Sequence, residues 1–260
     1  MRVVATLILS TALAACGQTG GEAIKYEAFA APVGDSPTFS SALGWEISLT
    51  KAKILVGPVY IYEASDEGNV IVRLWDLLGP SKAYAHAVAS GRSVLGDVID
   101  QFVVDLASST PSSLGIVPGI AGEMDSFEIG LHPYGYTALG SSLAEASELG
   151  GATFVLEGTA TKDGATYPFS VRGDIGDTAQ KRVVRNVRAS LLLEQTERQT
   201  GRFVIDVEVE RWFDRVDFST AVETDDRGRY TLPATSVPGI ALRWGIGSSS
   251  AYGAEWITDS

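Results

Sequence analysis

Two residue types in this chain could carry chemistry, and each is scarce. Cys16 is the only thiol, and His86 and His132 are the only imidazoles in 260 residues. A lone cysteine cannot form an internal disulfide. Imidazole suits copper(II), so the two histidines define a mononuclear copper site if the fold brings them together with Met124, Asp97 or Tyr134 as further donors. The alternative is two unrelated loop histidines, His132 standing ahead of Pro133 in a turn. The stretch WFDRVDF (212–218) concentrates aromatics and carboxylates. Asp214 and Asp217 there could meet a calcium ion, but the favoured reading puts Phe213 and Phe218 in the core and the two carboxylates on a turn. Trp212 follows Glu210 in phase with the acidic face of its strand. If that face is wet, Trp212 is a contact for a glycan or protein partner, and Trp212→Ala leaves stability nearly intact. No G-x-S-x-G, phosphate loop or H-E-x-x-H occurs, so the sequence offers no catalytic motif and points to a protein that is not an enzyme.

These residues must be positioned by the rest of the chain, beginning with its front end. Arg2 is the only charge before Glu22, and residues 3–15 are apolar or small. That run suits a signal-peptide apolar region and is short of the roughly 20 residues that cross a bilayer as a helix. The segment Leu13-Ala14-Ala15-Cys16 resembles the lipobox of bacterial lipoproteins. The resemblance implies that residues 1–15 are removed and that Cys16 becomes an acylated first residue. It also implies that Gly17, where an Asp would retain the protein, directs export to the outer membrane. The expected organisation is a signal peptide over 1–15, a lipidated cysteine and flexible tether over 16–41, and one domain over 42–260. The expected partner is then the membrane through the lipid anchor, with the body facing the periplasm or the cell surface. Residues 25–29 (KYEAF) could instead form a first edge strand.

Loss of residues 1–15 removes one arginine and takes the net charge from −12 to −13. Such a surface repels phosphate backbones, which excludes nucleic acid as a partner. The composition, 45% hydrophobic and 20% charged, is that of a globular domain and argues against disorder.

The body reads as strands. In TFVLEGTATKDGATYPFSVR (153–172), Asp163-Gly164 suits a two-residue type I′ turn. Closing it pairs Lys162 with Ala165, Ala160 with Tyr167, Gly158 with Phe169 and Leu156 with Val171. The apolar members then share one face, which the turn did not impose. Pro168 falls at a non-hydrogen-bonded position of the pair, so its outer side is expected to be a sheet edge or a bulge. Further strands are expected over 45–49, 54–62, 70–75, 98–106, 126–131, 183–193, 203–209, 229–232 and 240–246, with a bulge or break between Leu49 and Ile54 where the alternation changes phase. One register of the 183–193 and 203–209 strands sets Arg188 opposite Glu208. Residues 141–149 (SSLAEASEL) alone look helical, with Ser142 and Glu145 as a capping box and Gly150 as the stop. The fold class expected is all-β: an antiparallel β-sandwich with one short helix, after a signal peptide and flexible tether.

Four stretches in order, SLTKAKILVGPVYIYEA, MDSFEIGLHP, FVLEGTATKDGATYPFSV and FVIDVEVERWFDRVDF, resemble the MbnP-like group of exported bacterial β-sandwich proteins. They also resemble a looser set of bacterial lipoproteins. The first resemblance implies a copper-binding protein working beside a redox partner. The family site uses histidine with other ligands, and on this chain only His86 and His132 are available to it.

Overall fold

The turn at Asp163-Gly164 fixes one hairpin, and the rest of the architecture is built outward from it. The structure, a computed structural model, describes residues 22–34, 36–64, 93–194 and 201–258. Both turn residues have positive φ, 52° and 78°, the pair of values a type I′ turn requires. Strands β9 (Phe154–Lys162) and β10 (Ala165–Gly173) pair in the expected register, Lys162 with Ala165 through Leu156 with Val171. Leu156, Gly158, Ala160, Phe169 and Val171 are all buried. β10 is the last strand of its sheet, as Pro168 requires, and its outer side is covered only by Tyr230: the Tyr230 N–H donates to the Pro168 carbonyl (2.7 Å), and the Ser170 N–H donates to the Tyr230 carbonyl (3.0 Å).

The other described strands are β1 (Ala23–Pro32), β2 (Thr38–Ser40), β3 (Glu46–Val56), β4 (Val59–Glu63), β5 (Val94–Val98), β6 (Phe102–Asp105), β7 (Ser112–Ile120), β8 (Gly122–Gly130), β11 (Val183–Leu193), β12 (Gly201–Val207) and β13 (Tyr252–Thr258). They form two sheets. One has eight strands in the order β11-β8-β4-β5-β7-β1-β12-β13; the other runs β10-β9-β3-β2, with β6 also paired to β3. Every ladder is antiparallel except β1 with β12. Strands β11 and β13, at the two ends of the long sheet, come back against each other. The fold is therefore an all-β sandwich whose larger layer curls toward a barrel.

The core fills the space between the layers. Ile24, Tyr26, Ala28 and Ala30 alternate inward along β1, and Ile47, Leu49, Ala52 and Ile54 along β3, with Phe127, Phe169 and Phe203 between them. Phe127 and Phe203 meet edge to face, their centroids 5.8 Å apart, the geometry that the ring quadrupole favours. β3 and β4 belong to different sheets, and the chain crosses between them at Gly57-Pro58. Gly57 has φ +130°, and a Cβ there would collide with the Asp100 carbonyl oxygen, so only glycine makes the passage.

Among the described residues there are three α-helices rather than one: α1 (Leu143–Glu148), α2 (Val209–Trp212) and α3 (Val237–Ile246). α1 is the expected helix, with both halves of its capping box formed by Ser142 and Glu145. α3 replaces the strand expected over 240–246. Ser236 caps it, its Oγ accepting from the Gly239 N–H, and Pro238 stands in its first turn. Leu242 and Ile246 are buried at helical spacing, yet Val237, Ile240 and Trp244 on the outer face are apolar too, which disguises the helical period as a continuous apolar run.

Other expectations are also corrected. Within 16–41, Ala23–Pro32 is a strand in the interior of the long sheet, flanked by β7 and β12, rather than tether or edge. The 229–232 segment supplies only the Tyr230 bridges. β11 pairs with β8 and β12 with β1 and β13, so Arg188 lies opposite Ser126 and does not face Glu208. Strands β2, β5, β7 and β13 are additional; β7 (SSLGIVPGI) carries two glycines and a proline that read as turn residues. The phase change after Leu49 is a bulge in the β3–β9 ladder, as expected. Residues 70–75 lie outside the described residues.

Candidate functional site

The site is organised by Gln101, fully buried between β5 and β6. An amide carries two donors and an acceptor with two lone pairs, and here both ends are used on one loop. Nε2 donates to the carbonyls of His132 and Pro133, each at 3.2 Å. Oε1 accepts from the N–H groups of Gly135, Tyr136 and Thr137, at 3.2, 3.2 and 3.4 Å. The Gln101 backbone adds bonds to Ala138 and Gly140, each 2.8 Å. Gly135, at φ +91°, supplies the left-handed residue that turns the loop back. A single buried side chain thus holds residues 132–137 in one shape.

That shape seats His132 beneath Tyr136. The two rings stack with centroids 3.6 Å apart and planes 10° from parallel. His132 is only 2% exposed, and its Nδ1 has no hydrogen-bond partner. Thr137 Oγ1 is likewise buried and unpartnered. Both residues line a cleft of about 370 Å³ closed by Pro58 and Tyr60, Glu128 and Gly130, and Val183 and Arg185. Buried polar groups are nearly always paired, so two residues that carry unpaired ones and line the same cleft single this cleft out. A larger groove, about 560 Å³ on the outer face of β1, β12 and β13, has no such atom in its walls among the described residues.

The electrostatics follow from strand register. Asp97 on β5, Tyr60 on β4 and Glu128 on β8 stand opposite one another across three strands. Arg185 Nε approaches Glu128 Oε1 at 4.0 Å. Burial first, then the charges of Asp97, Tyr136 and Glu128, raise the Tyr60 phenol above its ordinary pKa. Burial, helped by the positive charge of Arg182, lowers that of His132. Both shifts favour the uncharged forms, a neutral imidazole and a protonated phenol, and Glu128 and Arg185 line the cleft beside them. It can bind a small polar ligand. No serine or carboxylate hydrogen-bonds to His132 among the described residues, so no nucleophile–base pair is assembled there.

The residues singled out from sequence fare differently. His132 is in the cleft. Cys16 and His86 lie outside the described residues. Met124 is buried in the core cluster, and Tyr134 is exposed. Among the described residues, no three His, Cys, Asp or Glu side chains stand close enough together to hold a metal ion.

Trp212 is corrected. β12 ends at Val207, and the chain turns into α2, so the phase carried on from Glu210 no longer applies. Trp212 is 0% exposed and cannot serve as a surface contact. Gly245 of α3 packs directly against its backbone, where any Cβ would collide. Phe213 and Phe218 are buried as expected. Asp217 accepts from the Ser219 N–H (3.1 Å) and Asp214 from the Ala42 N–H (3.3 Å), so both carboxylates serve turns.

Sequence reasoning passed over Gln101, Tyr136, Thr137, Tyr60, Glu128 and Arg185. The one local signal was the loop composition HPYGYT, a proline and glycine between aromatics. Comparison of the chain with family models, curated proteins and solved structures finds no match.

Proposed function

We propose that this chain is an exported, lipid-anchored envelope protein that binds a small polar ligand in the His132 cleft. The observation that carries the binding role is that two residues with buried, unpartnered polar atoms, His132 (Nδ1) and Thr137 (Oγ1), line one cleft whose loop is locked by Gln101. Preorganisation of this kind lowers the ordering cost of binding. The anchor rests on the order of charge, apolar run, small residues and Cys16 at the front of the chain. It places the protein on the outer membrane, facing the periplasm or the surface, with the bilayer as a permanent partner.

Two measurements test the proposal. Mass spectrometry of the mature protein should find Cys16 as the first residue, carrying fatty acyl mass; any other first residue, or no acyl mass, refutes the anchor. Native mass spectrometry of protein purified from its own envelope should show a bound small molecule that disappears in His132→Ala. Identical spectra refute the cleft as the site.

A second reading, copper binding beside a redox partner, is favoured by the neutral imidazole of His132, the protonation state a metal needs. The described donors, one imidazole and one carboxylate (Glu128), do not by themselves fit a copper site, so this reading requires His86. Copper titration of wild type, His86→Ala and His132→Ala, followed by absorbance, tests it; equal stoichiometry in all three refutes it.

A further inference from the structure

We propose a second binding site, for an anionic saccharide, in the cleft between α2 and α3. This cleft, about 210 Å³, is lined by Arg211, Arg215, Trp244, Ser248 and Ser250. Trp244 is 70% exposed, an open indole face of the kind that stacks on the apolar face of a pyranose ring. Ser248 and Ser250 hydroxyls lie 2.9 Å apart and together offer donors and acceptors to ring hydroxyls. The two guanidiniums supply the charge. Arg211 is ion-paired with Glu208, whereas Arg215 is exposed and makes no ion pair among the described residues. Asp214 also lines the cleft, but its Oδ1 accepts from the Ala42 N–H. Arg215, without an ion pair among the described residues, thus lines the same cleft as the exposed indole, and the charge of Asp214 beside it is the one a carboxylate ligand must outcompete. A planar guanidinium matches a carboxylate bidentately. The volume holds one sugar ring, with further rings continuing over the open indole.

A saccharide is favoured over the anchoring bilayer by chain length, an argument that rests on the lipid-anchor reading. α2 follows Val207, which pairs with Pro32 at the end of β1, while Glu22 precedes its start. Ten residues of strand span roughly 33 Å. The seven steps from Cys16 to Ala23 reach about 25 Å at full extension. With β1 upright, the cleft faces away from the membrane that holds the acyl chains.

The test titrates the full mature chain in detergent with trigalacturonate, its uncharged methyl ester, and phosphatidylglycerol vesicles, read by calorimetry and tryptophan fluorescence. Trigalacturonate should bind with an affinity that falls as salt is added, and the methyl ester at least roughly tenfold more weakly. Arg215→Gln should cost roughly tenfold in trigalacturonate affinity and Trp244→Ala should abolish binding, with thermal midpoints unchanged because both side chains are exposed. Ile240→Ser, on the exposed apolar stripe of α3 beside Trp244, should change nothing. The proposal is overturned by absence of trigalacturonate binding, by equal binding of the ester, by an unaffected Arg215→Gln, by loss in Ile240→Ser equal to that in Trp244→Ala, or by binding to vesicles alone. His132→Ala should leave the titration intact. The mass of Cys16 is read on the same sample, so failure of the anchor or of the His132 cleft is distinguishable from failure of this site.

Discussion

Replacing Gln101 with leucine removes five side-chain hydrogen bonds while keeping a similar volume. A neutral hydrogen bond is worth a net of about 0.5–1.5 kcal/mol. The five here are 3.2–3.4 Å long, and three donors share one oxygen with two lone pairs, so the bottom of that range applies, about 0.5 kcal/mol each and about 2–3 kcal/mol in all. The His132 carbonyl is left buried without its donor, which costs about 1 kcal/mol or more. The amides of Gly135 and Tyr136 sit in the exposed part of the loop and regain water. The expected loss is therefore about 3–4 kcal/mol, taken first as local opening of residues 132–137 and then as global stability. Urea denaturation measures the global part. Hydrogen exchange at Gly135, Tyr136 and Thr137 measures the local part, and the ring-current shift of Tyr136 reports the stack on His132. A Gln101→Leu variant within about 0.5 kcal/mol of wild type, with slow exchange and an unchanged Tyr136 shift, would refute the claim that Gln101 holds the loop.

Three further outcomes are expected. Trp212→Ala should cost about 3–5 kcal/mol in denaturant, as for a fully buried large aromatic; a change under about 1 kcal/mol would show that its burial is not maintained in solution. The folded pKa of His132 is lowered by burial and Arg182, so below its unfolded value of about 6.5 the unfolded chain binds the proton more readily. Stability attributable to His132 is present above that pH and lost as pH falls, so His132→Gln should flatten the stability profile between about pH 5 and 7; parallel profiles would refute it. Ser142→Ala breaks the α1 capping box and should cost about 1 kcal/mol, read from thermal melts, with no effect on the His132 cleft.

The amino-acid sequence by itself determined what is settled within a few residues. Asp163-Gly164 imposed the β9–β10 register because both positions must take positive φ, and a fixed turn sets every pair beyond it. Ser142 and Glu145 set the start of α1 because a capping box is completed within one helical turn. The phase change after Leu49 announced its bulge for the same reason, since alternation is read along one strand. Only the tertiary structure decided which strands are neighbours. The alternation of Ile24, Tyr26, Ala28 and Ala30 marks a strand, yet its place between β7 and β12 depends on residues about 90 and 175 positions away. The same holds for the site. Gln101 and His132 are 31 residues apart, and nothing local distinguishes a buried glutamine from a solvated one. Trp212 and Trp244 have the same side chain and opposite fates, because exposure is a property of what packs on top: Gly245 admits α3 against the backbone of Trp212, and nothing among the described residues covers Trp244.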